Sequence, residues 1–234
     1  MFGSDGSSSG AAAALVELCR RAGVGITIPD QIDGLCCTTP WKSKGLTSGY
    51  DTMRSRVRSV LWETTQHGRL PVVCEASSCA EGLERLLAAD DDFPGIRVVD
   101  ALTFTVAELL PRLPEPTKVG SVAVHPTCST TRLGTTEALV AIAGALAADV
   151  EVPHDWGCCA FAGDRGMLHP ELTASATAPE AAEVNQREHD LYLSSNRTCE
   201  MGLGRATGRP YEHAIEALER ATRGAERSAP AGKP

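Results

Sequence analysis

Two pairs of adjacent cysteines carry the chemistry in this sequence. Cys158-Cys159 lies in Gly157-Cys158-Cys159-Ala160-Phe161-Ala162-Gly163-Asp164-Arg165-Gly166, and Cys36-Cys37 in Gly34-Leu35-Cys36-Cys37-Thr38-Thr39-Pro40-Trp41. Glycines beside such a pair let backbone and sulfur approach a bound group closely, because no Cβ limits the approach. A lone cysteine follows each pair at nearly equal spacing, Cys79 after the first and Cys199 after the second. The surroundings of the lone cysteines also match: Ser78-Cys79-Ala80-Glu81-Gly82-Leu83 aligns with Thr198-Cys199-Glu200-Met201-Gly202-Leu203. Cysteines repeated together with their neighbours point to a duplicated unit.

In the second unit Cys128, Cys158, Cys159 and Cys199 supply four thiolates, a set that suits an iron–sulfur cluster or a structural zinc. Adjacent cysteines turn their side chains apart, and a cluster with several irons accommodates that more easily than one tetrahedral ion. A loop that runs into a helix N-terminus also favours the thiolate form. The first unit offers Cys36, Cys37 and Cys79, with Cys74 as a candidate fourth, and is the weaker site. Cys19 follows Leu15 and Val16 at helical spacing and reads as core. The chain has no Cys-x-x-Cys motif, which argues against thiol–disulfide exchange as its business.

The totals narrow the field. The 234 residues are 42% apolar and 22% charged, an ordinary globular composition. A net charge of −8 excludes a basic nucleic-acid footprint. No apolar run approaches a membrane span, and Met1 to Gly10 lacks the basic and apolar regions of a secretory signal. A cytoplasmic place follows, with the inner face of the membrane as a peripheral alternative. Thiols stay reduced there, so nine cysteines read as ligands before they read as a disulfide framework.

The elements that must position these sulfurs alternate between strand and helix. A helix capped at Ser7 to Ser9 runs to Arg21 and stops at Gly23; Val24 to Pro29 reads as a strand. A helix spans Thr47 to Gln66, then a strand Pro71 to Cys74, a helix Cys79 to Ala88 and a strand Ile96 to Val99. Ala101 to Leu113 is helical until its prolines disturb it. Pro114 to Thr117 is the linker. Beyond it come a strand Ser121 to Val124, a helix Thr135 to Ala148, a strand Val150 to Val152 and a polar helix reaching Asp190. The strand Leu191 to Leu193, a helix starting near Cys199 and a helix Pro210 to Arg223 complete the order. This is an α/β pattern with short parallel sheets flanked by helices, in two pseudo-symmetric units, 1–113 and 118–223, with a disordered tail at 224–234. Unit two opens with a strand and Cys128, whereas Gly3-Ser4-Asp5-Gly6 stands in unit one where Leu133 to Thr136 stands in unit two. The expectation is that the chain lacks the first strand and leading cysteine of unit one, as a fragment or through a late start.

The arrangement resembles the cysteine-rich CCG domain found in heterodisulfide reductases and in lactate-utilisation iron–sulfur proteins. It is most similar to the C-terminal region of FAD-linked D-lactate dehydrogenase-type oxidoreductases. The residues that carry the resemblance are Cys36-Cys37 with Pro40 to Gly45, Cys74 to Cys79, His125-Pro126-Thr127-Cys128, Gly157 to Leu168, and Ser195 to Cys199. It implies a 4Fe–4S electron-transfer module, with zinc as the alternative, serving the oxidation of a 2-hydroxy acid such as D-lactate. FAD would sit on a partner dehydrogenase domain or subunit, and a quinone or other acceptor would take the electrons. A zinc-stabilised scaffold docking on a partner dehydrogenase is the non-catalytic alternative. The sequence departs from the family in two places. The glycine after each cysteine pair is Thr38 in one unit and Ala160 in the other, and Ala76 and Asn196 replace the first cysteine of the closing Cys-x-x-Cys. Four thiolates in unit two fit a conventional cluster better than a five-cysteine one.

Other side chains near the loops read as structural first. His125, His154 and His169 are potential ligands or proton donors but more often hydrogen-bonded structural groups. Asp164-Arg165 reads as a local ion pair, Trp41 and Trp156 as core or as shields, Lys42 and Lys44 as solvated surface, and Asp90-Asp91-Asp92 as an acidic surface without calcium-loop spacing.

Overall fold

The computed structural model describes residues 10–88 and 93–223. The expected cap at Ser7 to Ser9, the Gly3-to-Gly6 comparison, the acidic run Asp90 to Asp92 and the tail 224–234 lie outside them.

Helix α1, Ala11–Arg21, forms because four alanines lead into an apolar stripe. Its buried face, Ala14, Leu15, Leu18 and Cys19, repeats at helical spacing and packs on α11, Ala214–Thr222, near the other end of the chain. Each fully buried leucine there stabilises by roughly 1.5–3 kcal/mol. Arg21 reinforces the contact: Nη1 donates to the Glu219 carbonyl at 2.8 Å and to Thr222 Oγ1 at 2.8 Å, and the guanidinium pairs with the buried Glu219 carboxylate. The stretch Val24 to Pro29, expected as a strand, has no regular secondary structure and pairs with no strand among the described residues. Ile26 and Ile28 are exposed. Branched side chains favour the extended backbone, but only a hydrogen-bonded neighbour makes it a strand.

Two parallel sheets follow. The first pairs β1, Val72–Cys74, with β2, Val98–Asp100. The second has the order β4-β3-β5-β6, built from β3 (Val119–Val124), β4 (Ala147–Glu151), β5 (Leu191–Ser194) and β6 (Glu212–His213). The remaining helices are α2 (Thr39–Ser43), α3 (Thr47–Thr64), α4 (Ser77–Leu87), α5 (Ala101–Phe104), α6 (Cys128–Leu133), α7 (Thr136–Leu146), α8 (Arg165–Leu168), α9 (Pro170–Val184) and α10 (Arg197–Thr207). The protein is thus α/β with short parallel sheets flanked by helices. The helix expected from Ala101 is regular only to Phe104. A wide turn at Thr105–Leu109 and a tight one at Leu110–Arg112 follow, because Pro111 has no N–H to continue the ladder. The largest core cluster draws on both sides of Pro114 to Thr117, including Leu18 and Leu102 on one side and Ile142 and Leu218 on the other. No helix among the described residues is long and apolar enough to cross a membrane.

The segment expected as one helix from Pro210 begins instead with β6. The short strand is favoured because it pairs with β5 in register Leu193 to Glu212 and Ser194 to His213. It delivers a buried imidazole to the start of α11. His213 Nδ1 accepts from the Ile215 backbone N–H at 3.2 Å, and Nε2 donates to the Glu75 carbonyl at 3.1 Å. Both bonds suit the neutral ring. Burial lowers its pKa to about 4, against an ordinary value of 6.5. Below pH 6.5 the unfolded chain therefore takes up a proton that the folded chain refuses. Stability is expected to fall as pH drops from about 6.5 to about 4, this residue contributing about 3 kcal/mol across the window. Urea midpoints measured against pH for wild type and His213→Asn check it. The variant keeps an acceptor for Ile215, and its curve should be flatter in that window.

Candidate metal centre

Parallel strands put their C-terminal ends on one edge, and the crevice there is where α/β folds hold ligands. All four second-unit cysteines leave the sheet at that edge. Chain leaving β3 passes through His125-Pro126-Thr127 into α6, so Cys128 opens that helix. Thr127 and Thr130 cap it reciprocally, each Oγ1 accepting from the other's backbone N–H at 3.0 and 3.1 Å. The loop after β4 carries Cys158 and Cys159, and the turn after β5 leads to Cys199 in the first turn of α10. β3 lies between β4 and β5, so three segments far apart in sequence end side by side.

Cys159 and Cys199 are both buried, with their sulfurs 3.0 Å apart. The shared hydrogen bond pulls Cys159 below the ordinary thiol range, helped by backbone N–H and by His125, and pushes Cys199 well above it. Cys128, half-buried, lies near enough to the exposed Cys158 to feel its charge. Burial, then the Cys158 charge, raises Cys128, and charges on Cys128 and Cys158 also reach Cys199. Tetrahedral zinc would hold its sulfurs about 3.8 Å apart, given Zn–S bonds of about 2.3 Å. Among the described residues no three His, Cys, Asp or Glu side chains already surround one ion position. The donor chemistry fits a thiolate-bound group all the same. Four thiols meet in two pairs, and the buried His125 Nε2, Tyr211 Oη and Glu200 Oε1 around them have no hydrogen-bond partner. Burial pushes Glu200, the residue after Cys199, up to about 7, against the pull of Arg197.

The loop is held from below by Phe161, which is fully buried. A Cβ on Gly166 would stand 2.6 Å from its ring, and the Arg205 guanidinium lies 5.6 Å from the ring centroid. The Gly166 N–H donates to the Phe161 carbonyl at 2.8 Å, closing the loop. Asp164 does not pair with Arg165 as expected. It takes Lys44 of the first cysteine loop at 2.5 Å, because the two loops face one another, and that ammonium lowers the carboxyl's pKa.

The first-unit thiols also gather. Cys37, Cys79 and Cys74 are close enough to influence one another's ionisation. Cys37 is raised by the Cys79 bond and by burial. Cys79 is held at about 12, its bond from Cys37 lowering it while Cys74 and burial raise it. Burial raises the half-buried Cys36, and the adjacent Cys37 adds to the shift. Cys74, ambiguous in the sequence, ends β1 beside this group. Gly82 and Gly202, each three residues after a lone cysteine, press on the second cysteine of their pairs: an added Cβ would lie 3.4 Å from Cys37 Cβ and 3.7 Å from Cys159 Cβ. The two sets adjoin. Ser77 and Ser195 hydroxyls meet at 3.2 Å, Ser78 donates backbone N–H and hydroxyl to Asn196 Oδ1 at 3.1 and 3.0 Å, and Ser129 donates to Glu81 at 3.0 Å.

His154 and His169 are exposed and distinct from this arrangement, and Trp41 and Trp156 are half-buried. His125 is fully buried, with Nδ1 at 2.8 and 2.9 Å from the two oxygens of the buried Glu180. Glu180 does not stand out in the sequence, because α9 looks polar throughout. The available signal was helical spacing: Glu180 shares a buried stripe with Thr173, Thr177, Ala181 and Val184.

Residues 122–204 match the family model of the CCG cysteine-rich domain. The match lies within the second half of the chain. No curated protein matches the chain. Among solved structures, glutamate racemase isoform RacE1 from Bacillus anthracis is similar at a TM-score of 0.33 and 14% identity, over 74% of this chain and 65% of the racemase chain. The chain thus spans less than two thirds of that structure.

The residue after each cysteine pair has a strained backbone. Thr38 and Ala160 occupy the glycine position after each cysteine pair, and both have positive φ, 66° and 52°. A residue with a Cβ costs about 1–2 kcal/mol in that region, while glycine costs about 0.5–1 kcal/mol in lost freedom. Ala160→Gly is therefore expected to stabilise the domain by about 0.5–1 kcal/mol, read as a higher urea midpoint at unchanged slope. Thr38→Gly is a poorer probe because the Thr38 side chain is also buried.

Proposed function

We propose that the CCG domain holds a 4Fe–4S cluster on Cys128, Cys158, Cys159 and Cys199 and serves as the electron-transfer module of a flavin-linked oxidoreductase acting on a 2-hydroxy acid such as D-lactate. The observation that carries the reading is the meeting of four thiols from three strand ends inside the matched region. A bound cluster supplies one-electron chemistry. The chain's own residues ligate it and bury its inner side with Phe161 and Tyr211. On this reading the chain divides into a first cysteine-rich unit, 1–113, and a second, 118–223. Cys36, Cys37 and Cys79 form the weaker site, FAD belongs to a partner domain or subunit, and a quinone or similar acceptor takes the electrons.

Anaerobic purification tests the cluster. A brown protein containing iron and acid-labile sulfide is the expected result. A colourless protein with one zinc per chain would replace the reading with a zinc-stabilised scaffold. The flavin connection is tested by adding an FAD-linked D-lactate dehydrogenase and D-lactate and following bleaching of the cluster absorbance; no bleaching, with dithionite still effective, would sink that part alone.

A further inference from the structure

We propose that Cys159 and Cys199 form a reversible disulfide when the metal-free chain meets a hydroperoxide, and that this bridge shuts the metal site. The consequence for metal rests on the metal-binding reading above; the bridge itself does not.

Geometry singles out this pair. The two sulfurs stand 3.0 Å apart, and a disulfide bond is about 2.0 Å long, so an approach of about 1 Å closes it. The adjacent pairs Cys158-Cys159 and Cys36-Cys37 are poorly placed to bridge. Consecutive Cα atoms lie about 3.8 Å apart, below the range of about 4.4–6.8 Å that disulfides span. A Cys-x-x-Cys spacing is not needed here, because strand order brings together two sulfurs 40 positions apart. Cys199 is the fixed partner, its N–H donating to the Asn196 carbonyl at 2.9 Å as α10 begins. Cys159 sits on the side that can yield. Its loop is flanked by Gly157 and Gly163, and a Cβ at either glycine would meet nothing within 4 Å. Phe161, fully buried two residues on, keeps the excursion small.

Metal and bridge make opposite demands on the pair. Tetrahedral zinc would spread the sulfurs to about 3.8 Å, whereas the bond draws them together from 3.0 Å. Among the described residues no three His, Cys, Asp or Glu side chains already surround an ion position, so a metal must reshape the site that the bridge uses nearly as it stands. Metal ligation requires thiolates, and a disulfide has none, so the bridge removes two of the four second-unit donors.

The chemistry balances with a hydroperoxide as the oxidant. One thiolate of the pair takes an oxygen from it, becoming a sulfenic acid and releasing the alcohol, or water from hydrogen peroxide. The other sulfur attacks that sulfur, the S–S bond forms and the S–O bond breaks, and the hydroxide leaves as water with the second thiol's proton. The two thiols lose two electrons and two protons, and the hydroperoxide gains them. Both residues are only 5% exposed, which demands a small oxidant such as hydrogen peroxide.

The experiment uses the full chain, freed of metal with a chelator, reduced, and treated with one equivalent of hydrogen peroxide. Remaining thiols are blocked with N-ethylmaleimide and the chain is mapped by mass spectrometry. Seven of the nine cysteines should be blocked, with the tryptic peptides of Cys159 and Cys199 joined. Cys158→Ser should still join them and Cys159→Ser should not. The oxidised chain should take up no more iron or zinc than Cys199→Ser does, and dithiothreitol should restore both the thiols and the uptake. Nine blocked thiols after peroxide overturn the proposal, as does a link between these peptides that survives in Cys159→Ser. A bridged chain that loads as much metal as the reduced one overturns the gating. A reduced chain that takes up neither iron nor zinc removes the metal-binding reading and the gating together, and the peptide map then decides the bridge alone.

Discussion

Cys199→Ser should abolish most of the metal uptake of this chain, and Cys159→Ser should do the same. These two sulfurs are the buried half of the second-unit set, 3.0 Å apart, and each comes from a different strand end. Serine is nearly the same size, so packing changes little, but a hydroxyl is a far poorer ligand for iron or zinc than a thiolate. The loss reaches stability as well. A metal bound by these thiols would tie the loop after β4 to the first turn of α10, so its binding free energy would be in part folding free energy, on the order of 10 kcal/mol for structural zinc sites. Metal content per chain and urea midpoints under anaerobic loading check both effects. Cys36→Ser should do much less, since it touches only the first set, and Cys19→Ser should cost packing alone. A Cys36→Ser chain without metal beside a fully loaded Cys159→Ser chain would move the principal site to the other half.

Phe161→Ala is the second large effect. The ring is fully buried beneath the cysteine loop, packed against Gly166 and lying 5.6 Å from the Arg205 guanidinium. Its removal leaves a cavity that the loop cannot fill by collapsing, because Ala160, Ala162 and Gly163 are already committed to positive φ. A phenylalanine deleted from such a site costs about 3–5 kcal/mol. Unfolding in urea should show this loss. Metal loading should also weaken, because Phe161 belongs to the same buried cluster as Cys159 and Cys199. Phe161→Leu keeps most of the volume and should cost far less. An alanine variant as stable as wild type would mean that the loop is held by its backbone and by the Lys44 contact to Asp164 instead.

The cysteine pattern and the helix–strand order were legible because both are local properties. Neighbouring glycines and cysteines announce a ligand loop, and apolar spacing announces α1, α3, α4 and α10 whatever their neighbours. The errors fall where a partner decides the outcome. Val24 to Pro29 has the composition of a strand but no neighbour to bond among the described residues, while Glu212 and His213 look helical and are claimed by β5. Asp164 had a cation next to it in sequence and took one from the opposite loop, since both loops sit at the same face.

By itself the sequence determined the α/β class and the thiol-rich chemistry. Those follow from residue types and short spacings, which fold locally and need no knowledge of what packs on them. Only the tertiary structure decided which sulfurs meet, that Cys74 stands with the first set, and that Glu180 grips His125. These contacts join residues on separate strands and helices, and the order of strands in a parallel sheet, not distance along the chain, sets which ends are neighbours.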